Sequence, residues 1–350
     1  MKRKLVLENG LEYVGSGFGS QKEVIAQLVF NTAVVGYQEI LSDPSNTDLM
    51  LCMTYPLIGN YGITDDDYES RIISPKALIV REYNDKPSNF RYTKTLNELL
   101  EENDVVGISH VDTRSITRII RENGTMTAII TDVDTSTQEA LQHIKNYKES
   151  KQLIAKVSCK KLWYSRCSNP KYNVVIIDCG IKFSIIKKLN SLGFNVTIVP
   201  FNTSVTKIQS LAPDAIIISN GPGNPSDAVE VIETVKLLQG KYPMLGISLG
   251  HQIIGLANNM ECSKLKVGHR GINRPVRNNK TNKITIVNQN HGYALNNKNN
   301  DIEITYVDIL DDCIEGLNIS KDMCFGVQFY PTDNVYEEFI NVIKNFKGEN

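Results

Sequence analysis

The pattern of apolar and polar positions changes style near residue 150. Before that point, short runs with β-type spacing (4-KLVLENGLEYVG-15, 24-VIAQLVFNT-32 and 77-ALIVREY-83) are punctuated by Gly, Pro, Asn and Asp, which predicts short strands joined by turns. One segment has helical spacing instead. In 113-TRSITRIIREN-123 the side chains of Ile116, Ile119 and Ile120 share a face and the charges take the other. Asp112 or Thr113 is placed to cap this helix and Gly124 to end it. Residues 1–150 therefore predict a strand-rich α+β domain. The polar, basic stretch that follows, with the single Trp (Trp163) and Pro170, predicts a linker over 151–172.

From 173 onward the runs become continuous. The segments 173-NVVIIDCG-180, 195-NVTIVP-200, 214-DAIIIS-219 and 243-PMLGIS-248 carry the uninterrupted apolar character of strands buried on both faces of a parallel sheet. Between them, 182-KFSIIKKLNSLG-193, 227-DAVEVIETVKLLQG-240 and 250-GHQIIGLANNM-260 have helical patterns. Alternating strand and helix predicts a doubly wound α/β domain over 173–350, with ligands at the carboxyl ends of the strands. The loop 219-SNGPGNP-225 and the turn at Ser248 both fall at such ends.

Composition narrows the function classes. At 41% apolar and 22% charged residues over 350 positions, the chain has material for two globular cores. A formal net charge of -1 with no basic block gives no footprint for nucleic acid. No run approaches the roughly 18 apolar residues of a membrane span. The apolar run after Met1-Lys2-Arg3-Lys4 is also too short for a signal peptide. The cysteines at 52, 159, 167, 179, 262, 313 and 324 form no C-x-x-C pair. They read as reduced, mostly buried thiols of a cytoplasmic protein, with no metal site.

The chemistry concentrates at 244-MLGISLGHQIIGLA-257, where Gly246, Ser248 and Gly250 spell the G-x-S-x-G of a nucleophile elbow. With S-N-G-P-G-N-P, 288-NQNHGYA-294 and 326-GVQFYPT-332, this segment makes the C-terminal half resemble a class I glutamine amidotransferase domain. The N-terminal half carries 30-FNTAVVGYQEILSDPS-45, 54-TYPLIGNYG-62, 88-SNFR-91 and 112-DTRSITR-118. These motifs extend the resemblance over nearly the whole chain, to the small-subunit family of carbamoyl-phosphate synthase.

That resemblance implies an elbow cysteine that attacks the side-chain amide of glutamine, with a histidine and a glutamate completing the triad. Here the three matching positions are Ser248, Tyr330 and Thr332. A hydroxyl is far less acidic than a thiol, an ordinary phenol is protonated at pH 7, and threonine supplies no carboxylate. The implied glutaminase is accordingly weak or lost. By the same match, Ser45, Gly221, Gly223, Leu249, Gln252, Asn290, Gly292 and Tyr293 would bind L-glutamine. Backbone N–H groups near Gly223 and Leu249 would form an oxyanion hole, although Gly221 and Gly223 read equally well as turn residues. Asn224 stands where the family commonly has Asp. Lys182 reads as a solvated charge at a helix start, and Tyr37 and Tyr55 as core aromatics.

The resemblance further implies a large synthetase chain as partner, holding ATP and Mg²⁺ and serving pyrimidine or arginine synthesis. Asp112, Arg114 and Arg118 would then be surface charges or contacts to that chain. No cofactor is expected on these 350 residues. Two alternatives stay open. One is a protein that senses glutamine or acts as a scaffold without cleaving it. The other is a serine hydrolase, for which His251, inside the helix after the elbow, His269, on a loop, and His291 are the downstream bases to weigh.

Overall fold

The structure is a computed structural model that describes residues 1–296 and 302–349. It has two compact units, Met1–Ser150 with Lys266–Gly271, and Lys151–Leu265 with Ile272–Asn350.

The first unit is built on a closed barrel of strands. Their order is Lys2–Leu7, Glu12–Gly19, Val106–Ser109, Ala77–Ile79, Leu49–Met53, Val24–Asn31 and Met126–Asp132. Closure leaves these strands without a free edge. The run 4–15 divides at a turn into the first two strands, and 77–83 divides between the barrel and a separate two-stranded ribbon. Alternate residues of the barrel, among them Leu5, Leu28, Met50, Ile79, Ile108 and Ile130, form one core with Ile116 and Ile120 of the helix Thr113–Asn123. Asp112 rather than Thr113 caps that helix, its carboxylate accepting from the Ser115 N–H at 3.0 Å. At the other end Gly124 takes φ 93°. Tyr37 is buried and donates its hydroxyl to the Gly62 carbonyl at 2.7 Å. Tyr55 is a correction: it is 38% exposed, because it follows the strand end at Met53 instead of lying inside the barrel.

The second unit is a mixed sheet. A parallel centre runs in the order Phe194–Pro200, Tyr172–Asp178, Ala215–Ile218, Met244–Ile247 and Cys324–Val327. Successive residues of each strand serve opposite cores. Val175, Ile177 and Ile216 face one, and Val174, Ile176 and Ile217 face the other, which is why the runs read as continuously apolar. An antiparallel extension, Ile314–Ile319 and Glu303–Asp308 followed by the long strand Glu261–Asn278, continues from Cys324–Val327.

Two expectations about this unit need correction. Residues 151–172, expected as a linker, carry the helix Leu153–Val157 and an edge strand, Trp163–Ser165, antiparallel to Phe194–Pro200. Elements this short draw their stability from packing, here of Ile154 and Trp163 on the two cores, and leave little periodicity to read. The cysteines are free, but only Cys52, Cys179 and Cys324 are buried, and the other four are half-buried.

Candidate active site

At the elbow the strand Met244–Ile247 passes directly into the helix Leu249–Ala257 through Ser248. Ser248 takes φ 52° and ψ -104°, a strained backbone region that costs about 1–3 kcal/mol for a residue with a side chain. Backbone hydrogen bonds hold the turn. Ser248 N–H donates to the Val327 carbonyl at 2.8 Å, Gln252 N–H to the Ser248 carbonyl at 3.1 Å, and Gly250 N–H to the Ser219 carbonyl at 3.1 Å. Gly250 lies flat against the neighbouring strand, where a Cβ would stand 2.0 Å from the Ile218 carbonyl oxygen. The second glycine of G-x-S-x-G is therefore required by the packing of the elbow, whichever residue occupies the nucleophile position.

The Ser248 side chain is buried, and among the described residues its hydroxyl meets one hydrogen-bonding group, the Gln328 amide nitrogen at 3.4 Å. The orientation of that amide follows from a chain of bonds. The Tyr293 carbonyl can only accept, so Gln252 turns its Nε2 toward it at 2.7 Å. The same Nε2 donates to Gln328 Oε1 at 2.9 Å, which leaves Gln328 Nε2 facing Ser248. An amide nitrogen donates and takes no proton. Among the described residues, no imidazole or carboxylate is hydrogen-bonded to the Ser248 hydroxyl.

Tyr330, expected at the histidine position, is half-buried, and its backbone N–H donates to the Asn288 carbonyl at 3.0 Å. The Lys182 ammonium sits 4.0 Å above its ring centre. Lys182 thus corrects the expectation of a solvated charge. It is 7% exposed at the start of the helix Phe183–Ser191, its stem buried and its ammonium held over the Tyr330 ring. Thr332, expected at the glutamate position, caps the helix Asp333–Lys347 with its carbonyl, which accepts from Val335 N–H at 3.0 Å.

Three histidines follow the elbow in the sequence. His251 is fully buried with its ring against Gly326, and burial pushes its pKa down to about 4. His291 places Nδ1 2.9 Å from the Tyr293 carbonyl and Nε2 3.2 Å from Gln289 Oε1, with the buried Glu315 carboxylate 3.6 Å away. His269 lies in the strand Glu261–Asn278, not on a loop, and is 4% exposed. Among the described residues, the serine-hydrolase alternative therefore finds no base hydrogen-bonded to its serine.

His251 makes a testable prediction. Its folded pKa lies below the ordinary 6.5, so as pH falls the unfolded chain takes up the proton first. The stability contributed by the neutral ring is complete above about pH 6.5 and is lost progressively toward pH 4, by about 2 kcal/mol at pH 5. Urea midpoints followed through Trp163 fluorescence should fall less between pH 7.5 and pH 5 for His251→Asn than for the wild type. An unchanged pH slope would contradict this assignment.

The remaining candidate binding residues fall in two places. In the second unit, Gly221 packs so closely that a Cβ would stand 2.2 Å from the Cys179 carbonyl oxygen, so the fold itself requires that glycine. Gly223 is exposed, Leu249 and Asn290 are buried, and Gly292 and Tyr293 are half-buried. Gln252 and the Tyr293 carbonyl belong to the bonded chain that reaches Ser248. Ser45 lies in the first unit, in the turn Pro44–Asn46, with its N–H donating to Asp43 Oδ1 at 2.9 Å.

Two working residues went unnoticed in the sequence. Gln328, two positions before Tyr330, could have been found inside the quoted motif. Asp178 organises the first loop: Oδ1 accepts from Gly180 N–H and Ile181 N–H, each at 2.9 Å, and Oδ2 accepts from Cys159 N–H at 2.7 Å. Its signal, a carboxylate ending an apolar strand, is common to many α/β domains.

The elbow and its sheet define a class I glutamine amidotransferase domain, and residues 175–347 match the family described as glutamine amidotransferase class-I. Residues 5–130 match the family described as carbamoyl-phosphate synthase small chain, CPSase domain. The chain is 42% identical to the carbamoyl phosphate synthase small chain of Staphylococcus saprophyticus, over 99% of this chain and 97% of that one. It is also 42% identical to the small chain of Bacillus anthracis, over 100% and 98%, and 39% identical to that of Listeria innocua, over 99% and 98%. The chain belongs to the carbamoyl phosphate synthase small chain family.

Proposed function

We propose that this chain is the small subunit of a carbamoyl phosphate synthase and that its own glutaminase is weak or lost. The observation that carries the second half is the Ser248 hydroxyl, which among the described residues is hydrogen-bonded to an amide donor and to no proton acceptor. Cleaving a carboxamide through an alcohol requires a base to take the hydroxyl proton and later to deliver one to the leaving ammonia. Gln328 can do neither. The Lys182 ammonium over Tyr330 adds a positive charge beside the position where the family places a group that becomes a cation during the reaction.

In this reading the subunit acts as a scaffold, with L-glutamine as a ligand it binds without efficient cleavage. A large partner chain holds ATP and Mg²⁺ and makes carbamoyl phosphate from bicarbonate and free ammonia. The experiment is to assay the purified complex with ammonium chloride or with glutamine as nitrogen donor. Ammonium is expected to support synthesis, and glutamine to support a rate at least about 10³-fold lower, the usual scale of losing triad members. Comparable rates would overturn the reading.

A further inference from the structure

The turn at Ser248 gathers hydrogen-bond donors that the fold does not use. The Ser248 side chain is 3% exposed and Gln328 is fully buried. Gln328 Nε2 points one N–H at the Ser248 oxygen, 3.4 Å away, so the serine accepts there and turns its own proton elsewhere. Among the described residues, that proton meets no acceptor, and neither does the second N–H of Gln328 Nε2. Ser248 also precedes the helix Leu249–Ala257 without capping it through its side chain. The N–H groups of a first helical turn have no carbonyl within the helix, and among the described residues that of Leu249 finds none outside it. Three unmet donors therefore sit together, two of them on buried side chains. A buried donor without an acceptor costs free energy, which a ligand that accepts from it would recover.

We propose that this turn binds the side-chain carboxylate of L-glutamate in preference to the carboxamide of L-glutamine. The proposal rests on the reading above, in which the elbow no longer cleaves glutamine and the end of a glutamine side chain reaches Ser248. L-Glutamate has the same length and shape and exchanges the amide NH₂ for an oxygen. A carboxylate accepts at both oxygens and donates nothing, whereas a carboxamide sets two N–H groups of its own against the three donors. A thiolate at the elbow would repel a carboxylate, and the Ser248 hydroxyl donates to one instead. The positive end of the helix Leu249–Ala257 also favours a negative charge at its first turn. The Lys182 ammonium lies at the carboxyl end of a parallel strand of the same sheet, over the ring of Tyr330, two residues beyond Gln328. Fixed dipoles and a cation offset the cost of taking a carboxylate out of water.

The test is isothermal titration calorimetry of the full-length chain at neutral pH with L-glutamate, L-glutamine and D-glutamate, with ammonia release followed in the glutamine arm. L-Glutamate is expected to bind at least about 10-fold more tightly than L-glutamine or D-glutamate. Gln328→Glu keeps an oxygen to accept from Gln252 and replaces the donor facing Ser248 with an acceptor. It should reverse the preference, favouring L-glutamine by at least about 10-fold. Ser248→Ala, checked for an unchanged urea midpoint, should lose about 10-fold for L-glutamate and less than about 3-fold for L-glutamine. That variant keeps the test decisive if Gln328→Glu does not fold. L-Glutamine binding as tightly as L-glutamate overturns the proposal. So does equal binding of the two glutamate enantiomers, which marks an adventitious carboxylate contact only, and so does no binding of either amino acid. In all three cases the small-subunit reading stands as long as glutamine is not cleaved. Ammonia release that Ser248→Ala abolishes brings down that reading and this ligand with it.

Discussion

The variant Ser248→Cys/Tyr330→His/Thr332→Glu is expected to release ammonia from glutamine at least about 10³-fold faster than the wild-type chain, while Ser248→Cys alone gains little. The elbow already supplies the geometry: a strained backbone at Ser248 and a bonded chain from Tyr293 through Gln252 to Gln328. A thiol with an ordinary pKa near 8.5 is a few per cent ionised at neutral pH, but it still needs a group to protonate the leaving ammonia. Tyr330→His provides that group beside the Lys182 ammonium, 4.0 Å above the present ring. A positive neighbour lowers the proton affinity of an imidazole, so the carboxylate of Thr332→Glu is needed to orient and charge-balance it. Steady-state glutaminase assays of the single, double and triple variants check this order. A single Ser248→Cys variant as fast as the triple would contradict it.

Gly250→Ala is expected to cost more than about 4 kcal/mol and to leave the second unit unfolded or grossly destabilised. The reason is steric. A methyl at that position would stand 2.0 Å from the Ile218 carbonyl and 3.0 Å from the Ile218 side chain, both fixed in the central sheet. Only movement of the helix Leu249–Ala257 relieves the clash, and that helix is buried along nearly its whole length. By contrast, Ser248→Ala removes one long hydrogen bond and should stay within about 1 kcal/mol of wild type. Urea unfolding followed through Trp163, in the edge strand of the same unit, distinguishes the two. A Gly250→Ala midpoint close to wild type would show that the elbow is looser than its packing implies.

How much of this was readable in the sequence depended on burial. The parallel strands announced themselves because Val174–Ile177 and Ala215–Ile218 serve cores on both faces, so nothing polar interrupts them. The helix Thr113–Asn123 was readable through Ile116 and Ile120 and its Asp112 cap. The strands Glu261–Asn278 and Ile284–Asn296 were not. Their burial patterns follow no period of two, and their runs of Asn, Lys and Arg resemble loop composition. His269, which the sequence places on a loop, lies in the first of these strands. At the site, the G-x-S-x-G spacing pointed to Ser248 and the family resemblance to Gln252, but only three dimensions show that Gln328 turns a donor toward Ser248 and that Lys182 covers Tyr330. Neither pairing has a sequence separation that a local pattern could reveal.

Glutamate release from glutamine, measured for the purified complex of this chain with its large partner and for the same complex carrying Ser248→Ala, decides whether Ser248 cleaves the amide. Both complexes should run at the same slow background. Turnover of about 1 s⁻¹ or more, the lower end of ordinary enzyme rates, abolished by Ser248→Ala, would contradict it.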